Sequence, residues 1–236
     1  MKKPDIIRQT VVINDDYVRK NRRSDGKIAL ILGYADSKNK RIILNEYVID
    51  KNITLLNDAE IEDIKQRINH VDEKDIIAHE SQHIHNSAIG YNYLANSDNI
   101  YECFMLAMAD EMSAMIAGYI HNTKQLDDAI LLAIGNMTKV IRQQYIKVQF
   151  ANHFKNLQKT YGEYKNLYEY KYDNKKIKRV TEYYFTINGQ NIFQQNVNKS
   201  TKLKFSAFFA EFKNEIREFI QNYLTTQKVI TRHIID

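Results

Sequence analysis

The chain predicts an α+β fold: a small N-terminal antiparallel sheet packed on a mainly helical domain, with a mixed Tyr/Lys-rich C-terminal appendage. Three observations carry this. Segments rich in β-branched residues are concentrated in the first fifty residues or so, where turn residues separate them. Long apolar-periodic segments follow, and a single proline in 236 residues leaves them uninterrupted. A hydrophobic content of 44% is enough to bury a sizeable core. The predicted organisation is one domain over residues 1–160 and a basic hairpin-plus-helix appendage over residues 161–236.

Ile6–Ile13, Lys27–Tyr34 and Arg41–Asp50 have strand composition. Ala35–Lys40 is a polar turn that makes the last two a hairpin, and Ser24-Asp25-Gly26 is a second turn, approached by the basic, exposed Arg19–Arg23. Asp58–Asn69 is an amphipathic helix. The next helix starts after Asp72, with Asp75 three residues on in a capping-box arrangement, and ends near Ser87 before Gly90. Asn92–Asn99 is a loop; a strongly apolar helix runs from Asn99 to about Asn122, and Leu126 to about Lys159 is one long helix or two short-linked ones. Val180–Ile187 and Gln190–Gln194 flank Asn188-Gly189, a two-residue hairpin turn, and Lys202–Leu224 is helical.

Bulk properties exclude several classes. No run of about 18 apolar residues exists to span a membrane, and the N-terminus lacks a signal-peptide pattern. One cysteine, Cys103, rules out an internal disulfide framework and a cysteine-based structural zinc site. These features point to the cytoplasm. The net charge of +5 is uneven: 17 Lys+Arg face 8 Asp+Glu from Val140 onward, and 17 face 21 before it. The basic half raises a polyanion contact, set against a plain solvated Lys-rich surface.

The sharpest local signal is His79-Glu80-Ser81-Gln82-His83, an HExxH run inside a predicted helix. At 100° per residue the two histidines lie within about 40° of each other, while Ile77, Ile84 and Ala88 fall on the opposite side. The helix thus has an apolar back and a histidine front that aims two imidazoles at one point. A catalytic zinc takes three protein ligands and keeps a fourth position open. The next helix offers Glu102 and Glu111, which face opposite sides of it. Glu102 sits in the first turn, where the exposed amides favour any carboxylate. Asp110-Glu111 interrupts an apolar run from Cys103 to Ala117, where a carboxylate is costly unless paired or bound to a cation. Glu111 is therefore preferred as third ligand, with Glu102 or a further histidine as alternatives. His85, at about 240° from His79, is off the metal face.

The run HESQH, a connecting loop and a second helix bearing Ala109-Asp110-Glu111-Met112-Ser113-Ala114 resemble the gluzincin metallopeptidases of the zincin superfamily, over roughly Lys27 to Asn122. The resemblance implies a zincin-like metallopeptidase domain over residues 1–160. His79, His83 and Glu111 would be zinc ligands and Glu80 the general base for a zinc-activated water. It also implies an edge strand within Arg41–Asp50 lining the cleft for a peptide or protein substrate. One departure is plain: Met115 stands where thermolysin-type members carry an aspartate that orients a histidine, and Asp110 is the substitute at hand. Tyr119, His121 and His153 are the candidates for oxyanion stabilisation.

Two other readings compete with a zinc peptidase. One is a non-enzymatic zincin-like binding module that contacts nucleic acid or a protein partner through its basic C-terminal part. There tyrosines would stack bases and Lys175, Lys176, Lys178 and Arg179 would meet phosphates. The other is a metal-free helical interaction protein. Met105, Met108, Met112 and Met115 repeat at three and four residues and read as a core stripe, with Cys103 a small buried residue.

Overall fold

The computed structural model describes residues 3–88, 100–142 and 182–226. The fold is mixed α+β and mostly helical. The chain divides into two compact units, Met1–Ala88 and Ile89–Asp236. Among the described residues no helix is long and apolar enough to cross a membrane.

The first unit is a three-stranded sheet with helices on it. Strand β1 (Asp5–Ile13) leads into helix α1 (Asp15–Asn21), which Asn14 caps by accepting the Tyr17 amide. This helix stands where the sequence suggested only a basic approach to the turn. The turn itself forms around Gly26, whose φ of 82° suits glycine. Strands β2 (Gly33–Asp36) and β3 (Arg41–Ile49) form the expected antiparallel hairpin.

Two expectations for the sheet are corrected. First, the sheet is mixed rather than antiparallel: β1 pairs with β3 in parallel, from Asp5 opposite Arg41 to Ile13 opposite Ile49. The chain between them, with α1, forms the crossover that parallel pairing requires. The order is β1-β3-β2, so Arg41–Ile49 is the central strand and not an edge. Second, the strand expected over Lys27–Tyr34 begins only at Gly33 and extends through Asp36, into the expected turn. Side chains of β3 take the backbone that a ladder would use: the Tyr47 hydroxyl accepts from the Ile31 amide and donates to its carbonyl.

Helix α2 (Asp58–Asn69) matches its predicted limits, and its start carries a complete capping box between Asn57 and Glu60. Helix α3 (Glu73–Ala88) bears the HExxH run. Asp72 starts it by accepting the Lys74 amide. Its back packs on the sheet, with Ile84 buried against Ile42 and Leu44 and with Ile76, Ile77 and Ala35 around them. Ala88, expected on that face, is exposed. At Gly33 helix and sheet lie close: a Cβ there would be 2.7 Å from Ile76 Cγ2 and 3.1 Å from the Ile43 carbonyl oxygen. The other face of the sheet covers a second cluster of Ile13, Val18, Ile28, Leu56 and Ile64.

The second unit packs helices α4 (Ile100–Thr123), α5 (Leu126–Arg142) and α6 (Lys199–Thr226) together. Its core holds Met105, Met108 and Met112 with Met115 at the margin, as the methionine spacing suggests. Tyr184, Phe185, Phe205 and Phe212 complete it from the C-terminal side. The hairpin around Asn188-Gly189 forms, with both residues at positive φ. Its arms, however, are only β4 (Thr186–Ile187) and β5 (Gln190–Asn191), far shorter than the expected strands. Phe185 and Ile192 turn into the core on either side, and Asn191 caps a 3-10 turn over Ile192–Gln194. The expected loop at 92–99, Gly90, and the Tyr/Lys-rich stretch through 181 lie outside the described residues.

Candidate metal centre

The helical register of α3 brings the two motif histidines together. Their Nε2 atoms are 3.1 Å apart, and the rings meet edge to face with centroids separated by 4.8 Å. A tetrahedral zinc holding two nitrogens at 2.0–2.1 Å would set them about 3.3 Å apart. The two imidazoles thus bring the same nitrogen to a separation close to the one that two ligands of a single ion would take. Glu80, next to His79, is buried at 8% exposure.

His79 and His83 stand on α3 of the first unit and Glu111 on α4 of the second. All three side chains are half-buried. Two imidazoles and a carboxylate fit a catalytic zinc, which takes three such ligands and an open fourth position. Asp110, the suggested second carboxylate, is also half-buried, and its backbone carbonyl accepts the buried Ser113 hydroxyl. The side chains of Glu102 and Cys103 lie outside the described residues, as do His153, Lys175, Lys176, Lys178 and Arg179.

The oxyanion candidates separate. The Tyr119 hydroxyl accepts a 2.5 Å hydrogen bond from Asn136 Nδ2 on α5, while His121 is exposed. His85 is half-buried and burial pushes its pKa below the ordinary histidine value. Its Nε2 has no hydrogen-bond partner among the described residues. A neutral packing histidine fits both facts.

Sequence reasoning passed over Gln82 and Asn86. They are 5% and 1% exposed, and Gln82 Nε2 donates to Asn86 Oδ1 at 3.0 Å. With the histidines they form the series 79, 82, 83, 86, which is the i, i+3, i+4, i+7 spacing of a single helix face. That spacing was legible; because the residues are polar, it did not read as a buried stripe.

No protein-family model, curated protein or solved structure matches this chain.

Proposed function

We propose that this chain is a zinc-dependent hydrolase, most specifically a peptidase, whose metal is held by His79, His83 and Glu111. The observation that carries the reading is the closeness of the His79 and His83 Nε2 atoms, 3.1 Å apart, beside a buried glutamate in an HExxH helix.

A zinc ion held there would supply a Lewis acid that polarises a peptide carbonyl and makes a water acidic enough to attack at neutral pH. The helix contributes position: the four-residue spacing fixes both Nε2 atoms, so little reorganisation is needed on metal entry. Glu80 takes the proton from the attacking water and passes it to the leaving amine. Its low exposure keeps bulk water from competing for that proton.

The test is a Glu80→Gln variant assayed on a quenched-fluorescence peptide library beside the parent. The expected result is full zinc content with hydrolysis reduced on the order of 10²–10⁴-fold. Parental turnover in Glu80→Gln would remove Glu80 as the base. A parent that carries zinc and hydrolyses nothing in the library would remove the peptidase reading.

A further inference from the structure

We propose that strand β1 is a homodimerisation edge, pairing antiparallel with β1 of a second copy to continue the sheet across a two-fold axis. The inference is independent of the metal centre.

The sheet order β1-β3-β2 leaves β1 at an edge, and among the described residues no strand pairs its outer side. Natural edges are normally blunted by proline, bulges, short length or an outward lysine. Strand β1 has none of these: it is nine residues long, its register with β3 is continuous, and it contains neither proline nor lysine. Its one cation is engaged within its own unit, since Arg8 Nη1 meets Glu46 on β3 at 3.2 Å and Nη2 meets Glu73 on α3 at 2.7 Å. The strand is also exposed over most of its length, with Ile6 at 47%, Ile7 at 39% and Val12 at 47%, beside Val48 at 52%.

Backbone direction decides which groups are offered. The Asp5 amide donates to the Lys40 carbonyl and the Ile13 carbonyl accepts the Asp50 amide, so odd-numbered residues bond β3. The even residues Ile6, Arg8, Thr10 and Val12 therefore present their N–H and C=O outward. An antiparallel copy must pair even with even. Setting 6 opposite 12 and 8 opposite 10 uses every outward residue and matches Ile6 with Val12 of the second copy. It places Arg8 against Thr10, and Gln9 against Gln9 of the second copy at the axis. Moving two residues toward the N-terminus would put Arg8 on Arg8, a like-charge clash; moving two the other way would leave Ile6 unpaired. The sequence DIIRQTVVI is thus self-complementary in one register.

Sedimentation of the full chain tests this. The parent is expected at twice 27.9 kDa at high concentration, falling toward 27.9 kDa on dilution. Thr10→Pro deletes an outward N–H at a position where an edge strand tolerates proline, and Ile6→Lys places a charge on an exposed site. Both are expected at 27.9 kDa with the parent's circular dichroism and unfolding transition. Adding Val12→Glu to Ile6→Lys should restore the dimer, because the register opposes those positions. A parent that is monomeric at every concentration, or a dimer that both single variants leave intact, overturns the proposal. So does a charge pair that fails to rescue.

Discussion

The two faces of α3 do opposite work with the same backbone. The back buries Ile84 on Ile42 and Leu44 and is flanked by Ile76 and Ile77, so burial of apolar area holds it. The front buries or half-buries His79, Gln82, His83 and Asn86, and burying such groups costs free energy unless they are paired. They are paired with each other: Gln82 with Asn86, His79 with His83. The back therefore supplies stability and the front directed donor atoms. Register ties the two, because whatever seats the back also aims the front.

Damage to the back should appear first as lost stability. Ile84→Ala removes a side chain that is 4% exposed and is expected to cost about 2–4 kcal/mol in chemical denaturation, with metal content falling only as the fold is lost. Gly33→Ala should be milder, about 1–3 kcal/mol, because the added methyl meets Ile76 Cγ2 and the Ile43 carbonyl. A cost near zero would mean that α3 seats more loosely than described, and the coupling of the faces would weaken with it.

A polar network away from α3 gives the smallest effect and sharpens the contrast. The Asp15 carboxylate accepts the Thr54 hydroxyl at 2.6 Å and the Thr54 and Leu55 amides at 2.9 and 3.0 Å. The Thr54 hydroxyl, followed by its amide, holds the carboxyl below the usual carboxylate range. A folded-state pKa depressed this way gives a contribution fully present above the unfolded value of about 4, and lost as pH falls through the lower folded value. Asp15→Asn should therefore flatten the acid limb of the stability profile slightly while leaving zinc content unchanged. This is measured as urea midpoints between neutral and acid pH.

Local signals were readable where local physics decides. Asn57 and Glu60 set the start of α2, Asp72 that of α3, and Asn188-Gly189 the hairpin turn. Glu111 stands out in the sequence through the cost of a carboxylate in an apolar helix, and its side chain is half-buried. Pairing was not readable: nothing within Ile6–Ile13 says that β3, some 36 residues on, lies parallel to it. Lys27–Ile31 has strand composition, but the Ile31 backbone is bonded by the side chains of Tyr47 and Asn45, the Ala29 carbonyl by Tyr17 and the Ile28 carbonyl by Arg67, a tertiary choice that no window reveals. The hairpin arms were overestimated for a similar reason, since Phe185 and Ile192 are drawn into an aromatic core built by α6.

Zinc titration of chelator-treated protein by calorimetry, for the parent and for His79→Ala/His83→Ala, tests the central claim most directly. The parent should bind one equivalent, and the double variant should bind none while keeping its fold, since the front contributes donors and the back stability. A parent that takes up no zinc, or a folded double variant that still binds one equivalent, would contradict the account.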